Sequence, residues 1–373
     1  PGITREIVKK LDERGARRGK DSKQFVYAPE AMKIILEEMC ANAGVSFLLH
    51  YQVAAAYRDK NRMTTVITES KSGREAWSAK VFIDCTGDGD VGAFIGNGWD
   101  IGQGGETCPC QPLTLNTLAI VRNAEALKEF ISFYKDDNGH ANFDWHIKAT
   151  KAFMKEINRA GIEPTYGDPT LFLIKGNLVM VMVNQEFGIK AFDAPAVSEA
   201  TVHARAEVNK IVDGLSKLGG PWEGMQIVAT AEQIGIRDGR RIHGRYTVTK
   251  SDLANGSNHE DGVTRPTFGV DIHPPTLESS RTHGAILHED FKMKSYDIPL
   301  RALIAKDVDG LMMAGRCISG DFIAHASYRV TGNAVAMGQA AGAVAAIAAQ
   351  SNRLPHEVEW SEAEILLTKL GQG

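Results

Sequence analysis

Val81-Phe82-Ile83-Asp84-Cys85-Thr86-Gly87-Asp88-Gly89-Asp90 is an apolar run that stops abruptly at small and turn-forming residues. A strand that ends this way lets its following backbone come close to a ligand, because the turn carries little side-chain bulk. Upstream, Met32, Ile35, Leu36, Met39, Cys40 and Ala43 recur at steps of three and four, with Pro29 near the start and Gly44 beyond the end. That spacing and punctuation predict an amphipathic helix. Val45 to Leu49 reads as a short apolar strand. Met63–Thr68 and Ala76–Ile83, separated by Ser72-Gly73, read as two strands of a small meander.

Residues 1–24 carry charge without an apolar period, so the expectation is a mobile or partner-dependent segment with order beginning near Phe25. The chain begins Pro1-Gly2-Ile3 with no apolar signal core, and a piece in front of it is expected to be missing. Beyond residue 100 the texture lengthens. Helices are expected at 124–134, at 145–160 and from Ser198 to the Gly219-Gly220 stop, with strands at 170–174 and 178–183. Leu311 to Ala314 reads as a buried strand ending in Gly315-Arg316. Thr331-Gly332-Asn333 then opens a helix rich in alanine, where Gly338 and Gly342 are expected to permit close approach to a sheet or a ligand. Ser361 and Glu364 are expected to form a capping box for the last helix.

Composition bounds the function. The 373 residues are 43% hydrophobic and 24% charged, enough for two soluble globular domains, and 42 basic against 46 acidic residues give a net charge of −4. No basic field exists to hold nucleic acid. The most apolar window, 334–349, is broken by Gly338, Gln339 and Gly342, and is expected to be a buried helix with no membrane partner. Five cysteines do not make a secreted disulfide framework, which points to the cytoplasm. Cys108-Pro109-Cys110 has one-residue spacing, unlike redox or zinc pairs, and is read as structural or incidental. Asp84, Asp88 and Asp90 lack the later ligands of a calcium loop, so no metal is expected.

Four blocks, read in order, resemble the FAD-dependent oxidoreductases with a two-dinucleotide-type fold, the broad group that includes fumarate reductase flavoprotein-like enzymes. They are Gly44 to Val53, Val81 to Asp90, Ile234 to Gly244, and Ile298-Pro299-Leu300-Arg301 through Gly315-Arg316 to Gly342. The resemblance implies an α/β FAD-binding domain of the glutathione reductase type, interrupted by an inserted α+β substrate domain. The expected division is 1–100 and 296–373 for the FAD-binding part and 101–295 for the insert. No G-x-G-x-x-G turn occurs at the head of a βαβ unit. The expectation is therefore a fold incomplete at its N-terminus, with exposed sheet edges that a homodimer would cover.

By the same resemblance, Thr86, Gly87 and Asp88 would lie by the adenosine and pyrophosphate of FAD, and Val53 would offer main chain to the adenine. Gly315 and Arg316 would sit near the ribityl and pyrophosphate portion, with Ser319 or Asp321 as hydroxyl partners. Thr331, Gly332 and Asn333 would present helix-start amides to the flavin pyrimidine. For chemistry on a small-molecule substrate the expected residues are His325 and Arg329, then Arg237 and His273, with Arg240, Arg241 and His283 also in view. Arginine pairs with carboxylates and histidine moves protons near neutral pH. The implied activity is hydride transfer between flavin and a small organic molecule. The alternative is a catalytically silent remnant acting as a binding or assembly subunit.

Overall fold

A computed structural model describes residues 2–18, 25–104, 110–134, 143–283, 286–287 and 290–371. Its organising feature is a parallel pair of short strands joined from far apart in the chain. Phe82–Asp84 lies beside Leu311–Met313, with Leu311 opposite Phe82 and Met313 opposite Asp84. The Phe82 amide donates to Gly310 O and the Ala314 amide to Asp84 O, at 2.9 and 3.0 Å, extending the ladder at both ends. All three residues of the later strand are buried, as strands covered on both faces must be. The helix Thr331–Ser351 packs across this pair and also touches the helices Gly2–Glu13 and Trp360–Lys369.

The expected meander is present, with different bounds. Gln52–Asp59, Arg62–Ser70 and Gly73–Ser78 form a three-stranded antiparallel sheet in sequence order. The run expected as one strand from Ala76 to Ile83 is two: its first half closes the meander and its second half joins the parallel pair. Val45–Leu49 is not a strand. Among the described residues no strand pairs with it, and Val45, Leu48 and Leu49 are 51%, 52% and 60% exposed. Apolar, β-prone residues do not make a strand without a ladder to join.

The expectation of a mobile start is overturned for residues 2–18. Gly2–Glu13 is a helix, its Ile7 and Leu11 buried against Ile35, Ala16 and Met32 of the following segment. Ile3, Ile7 and Leu11 recur every four residues, an apolar stripe that the flanking charges obscure. Residues 19–24 lie outside the described set. The helix Pro29–Asn42 runs as expected, with Gly44 in the left-handed region just past it.

Two principal cores divide the chain. One gathers side chains from 56–95 and from 242–367; the other runs from Ala119 to Met225. Around the expected boundary at residue 295, Ile242, Val248, Leu253, Tyr296 and Ile298 belong to the first core, while Ile272 packs in a small cluster with Phe322 and Ala326. The second core packs a four-stranded antiparallel sheet, in the order Gln226–Thr230, Thr117–Ile120, Leu178–Met182, Thr170–Lys175, against the helices Phe143–Arg159 and Ala194–Leu218. Trp222 is fully buried at its centre. Its indole donates to Glu156 at 2.8 Å and stacks on Phe153, which satisfies its polar edge.

Several local expectations change. The segment Ala124–Phe130 is a 3₁₀ helix. The long helix starts at Ala194, not Ser198, because Asp193 accepts the Ala196 amide and Pro195 suits the first turn. The last helix is capped by Glu359 and Glu362, two residues ahead of the expected pair. Gly338 and Gly342 face open space, while Met337, Ala340, Ala341 and Val344 make the buried face. Thr331–Ser351 is long and apolar enough to cross a membrane by length and composition, with a third of its apolar window buried.

Leu11 fully buried beneath a terminal helix gives a clear expectation. Leu11→Ala should lower unfolding free energy by about 2–5 kcal/mol, read as a fall in the urea midpoint. An unchanged midpoint would contradict a packed N-terminal helix.

Candidate functional site

Asp84 closes the first strand of the parallel pair and is fully buried. Its carboxylate accepts from the Thr86 amide at 3.0 Å, the Thr86 hydroxyl at 2.7 Å and the Gly92 amide at 2.9 Å. The Thr86 hydroxyl in turn accepts from the Asp90 amide at 2.9 Å. One carboxylate therefore holds both ends of the turn. Between them Gly87 and Gly89 adopt φ of +77° and +66°, conformations that residues with a Cβ rarely take.

The turn is clamped by ion pairs to distant segments. Asp88 meets Arg316 at 2.9 Å, and Asp90 meets Arg240. A Cβ added at Gly87 would lie 2.7 Å from the Arg316 guanidinium, and one at Gly239 would run into Asp88, so both glycines permit the approach. Arg240 also lies over the Phe192 ring at 4.6 Å. Gly315, at φ +89°, sits 3.8 Å (from its would-be Cβ) from Ala334, in the first turn of the long helix. The stretches around Thr86, Gly315 and Gly332 thus meet in one place. Gly332 is exposed and nothing crowds the position where its Cβ would be.

A second polar group lies where the two cores adjoin. Arg329 donates to the Asp271 carboxylate at 3.1 Å, the Asp271 carbonyl at 2.9 Å and Gln111 at 3.2 Å. His273 faces Asp271 at 3.4 Å through Nε2 and Gln185 at 3.2 Å through Nδ1. Arg241 pairs with Asp238 at 3.2 Å and donates to the Gly320 and Gly102 carbonyls. Arg237 donates to Pro112 O and Thr114 Oγ1 at 2.8 and 2.6 Å. The side chains of Arg329 and His273 are at least nine-tenths buried. Burial lowers the Arg329 pKa to about 10, opposed by Asp271 and helped by Arg237, which leaves it cationic at neutral pH. Burial also lowers the His273 pKa, against the pull of Asp271.

His325 lies on the short helix Phe322–Tyr328, completely buried, and neither ring nitrogen has a well-formed hydrogen bond among the described residues. Burial holds its pKa well below the ordinary value, and the nearby charges of Arg241, Arg329 and Arg316 act in the same direction. It is neutral at pH 7. The other expected positions are distributed as follows. Asp321 caps that helix, accepting the Ala324 and Lys250 amides at 2.7 Å each, and Ser319 is buried against the Thr247 hydroxyl. Val53 lies in the first meander strand opposite Thr68. Thr331 and Asn333 flank Gly332 at the helix start, with the Asn333 amide bonded to Val330 O. Cys110 is disulfide-bonded, so it is no incidental thiol; Cys108 and Pro109 lie outside the described residues, as does the His283 side chain.

Residues 1–368 match the family model described as FAD dependent oxidoreductase. The chain belongs to the FAD dependent oxidoreductase family. The fold is an α/β FAD-binding fold, and FAD is the family's cofactor. No curated protein matches the chain in sequence. Among solved structures, a geranylgeranyl bacteriochlorophyll reductase-like protein from Thermoplasma acidophilum is 12% identical with a TM-score of 0.40, over 94% of this chain and 62% of its own. The myxobacterial chondrochloren halogenase CndH is 9% identical with a TM-score of 0.40, over 96% of this chain and 65% of its own. The p-nitrophenol 4-monooxygenase PnpA from Pseudomonas putida DLL-E4 is 13% identical with a TM-score of 0.31, over 60% of this chain and 45% of its own. This chain thus spans less than two thirds of the length of each.

Asp84 was expected only as a turn residue beside a cofactor, and Asp271, Asp238, Gln111 and Gln185 were not among the expected site residues. Asp271 had a signal: Val270-Asp271-Ile272-His273 alternates, which puts Asp271 and His273 on one side of an extended chain. Gln111 and Gln185 had none. Two surface cavities, of about 510 and 920 Å³, are lined by residues such as Val263, Gln339 and Trp360 or Arg245, His259 and Arg301, and share none with the turns above.

The buried neutral histidines set a pH dependence. Unfolded histidine takes up a proton near pH 6.5, and the folded protein resists it at His325 and His273. The unfolded state binds more protons in acid, so stability is lost as pH falls below about 6.5, by up to about 1.4 kcal/mol per pH unit for each such group. His325→Gln should flatten this slope in urea unfolding between pH 7 and 5. An unchanged slope would place the acid sensitivity elsewhere.

Proposed function

We propose that the chain is an FAD-dependent oxidoreductase transferring a hydride between flavin and a small organic substrate, with the cofactor seated where the three turns meet. The observation that carries this reading is the approach of Gly87 to Arg316 and of Gly315 to Ala334, which gathers segments some 250 residues apart around one bare stretch of main chain. The residues suit such a ligand on three counts. The glycine turns leave backbone uncovered. Arg316 keeps a buried Nε without a hydrogen-bond partner among the described residues, beside the turn where a pyrophosphate would want positive charge. The helix Thr331–Ser351 starts beside the Gly315 turn, where its dipole favours negative charge.

In this reading Gly87, Asp88 and Arg316 orient the pyrophosphate, with Thr86 acting through its backbone. Val53 offers main chain to the adenine, while Gly315, Ser319 and Asp321 shape the ribityl side. Thr331, Gly332 and Asn333 face the pyrimidine edge. FAD supplies the two-electron chemistry when bound. Arg237 and Arg329 would hold an anionic group of the substrate, His273 would be set by Asp271 to accept or return a proton, and His325 would stay neutral behind them. We place the insert at about residues 101–240, ending where the side chains rejoin the first core. The partners in this reading are a small-molecule substrate and a second copy of the chain, with no nucleic acid or membrane, and the location is the cytoplasm. The net charge of −4 and the exposed run Val45–Leu49 support it.

Titration of the purified chain with FAD, followed by quenching of flavin fluorescence, tests the reading. Saturable quenching is expected, and Gly332→Trp should weaken it at least about tenfold while changing stability by no more than about 0.5 kcal/mol, because no neighbour crowds that position. A colourless protein indifferent to FAD would defeat the proposal. Equal affinity in the variant would defeat the helix-start contact.

A further inference from the structure

Glu186, His203 and Glu207 form a cluster that the flavin reading does not use. The helix Ala194–Leu218 puts His203 and Glu207 four residues apart, hence one turn apart on one face. Glu186 is brought opposite by a backbone bridge in which Leu113 and Glu186 exchange two hydrogen bonds at 2.9 and 3.0 Å. One ligand atom from each residue lies within 4.8 Å of the other two. His203 Nδ1 is 2.7 Å from Glu186 Oε1. The Glu207 carboxylate is held from outside the cluster: the Thr165 amide donates to Oε1 and its hydroxyl to Oε2, both at 2.7 Å.

We propose that Glu186, His203 and Glu207 bind a divalent transition-metal ion of the Zn²⁺ type, with water completing its coordination. One imidazole nitrogen and two carboxylates are a borderline donor set that favours Zn²⁺ or Co²⁺ over Ca²⁺ and Mg²⁺, which take oxygen shells of six or more. Bonds of about 2.1 Å in a tetrahedron separate ligand atoms by roughly 3.4 Å, so the cluster must tighten by up to about 1.4 Å at its widest. His203 supplies that movement, since its side chain is 64% exposed while that of Glu186 is 11% exposed. Orientation of Glu207 by Thr165 is the outer-shell support that metal ligands need. The site also connects to the polar junction, because the Gln185 amide donates to Thr165 Oγ1 at 2.8 Å and its side chain meets His273.

Titration of the full, untagged, chelator-treated chain with Co²⁺ tests this without reference to flavin. One equivalent should give visible d–d absorption bands that Zn²⁺ displaces and that millimolar Mg²⁺ does not. His203→Ala and Glu207→Gln should each weaken Co²⁺ binding at least about tenfold. Zn²⁺ should raise the melting temperature of the parent and not of His203→Ala, whose exposed position leaves folding intact by circular dichroism. Absence of the bands, or their persistence at equal affinity in His203→Ala, would overturn the site and leave the cluster as an ion pair.

Discussion

Everything near the candidate site depends on the buried carboxylate of Asp84. A carboxylate taken out of water needs hydrogen bonds to replace its hydration, and here the Thr86 amide, the Thr86 hydroxyl and the Gly92 amide supply them. That requirement bends the chain back on itself directly after the strand Phe82–Asp84. The bend then forces Gly87 and Gly89 into left-handed conformations and turns Asp88 and Asp90 outward, where Arg316 and Arg240 meet them. The parallel pairing of Phe82–Asp84 with Leu311–Met313 delivers Arg316 to the turn, since Gly315 and Arg316 follow that second strand directly.

The junction between the two principal cores works on a related principle with more charges. Arg241 is buried, and Arg237 and Arg329 are largely so, beside two carboxylates, Asp238 and Asp271, and the remaining hydrogen-bonding capacity falls to Gln111, Gln185, His273 and main-chain carbonyls. Buried ion pairs contribute little net stability because their desolvation offsets much of their attraction. Concentrating them where two apolar cores abut makes physical sense for a site that handles polar ligands. His325 and Arg329 also retain ring or guanidinium nitrogens with no partner among the described residues. The alanine-rich helix Thr331–Ser351 serves both regions: its start adjoins the Gly315 turn and its middle seals the first core.

Much of this was legible in the linear chain. Strand ends at Asp84 and Ala314, the helix start at Thr331 and the helix Pro29–Asn42 followed from apolar period and punctuation, because those signals are local. The failures have physical causes. Val45–Leu49 has the composition of a strand but no neighbour to pair with. Ile3, Ile7 and Leu11 form a helix face that dense flanking charge concealed. Gly338 and Gly342 signalled close packing, yet lie on the helix face away from it.

By itself, the sequence determined the elements with a clear apolar period, the glycines and aspartates of the Asp84–Asp90 turn, and the family to which residues 1–368 belong. Only the tertiary structure decided which charges meet: Arg316 with Asp88, Arg240 with Asp90, Arg329 with Asp271, and His203 with Glu186. Backbone conformation and apolar period are properties of neighbouring residues, whereas an ion pair across 228 positions exists only once two cores and a parallel strand pair have brought its partners within reach.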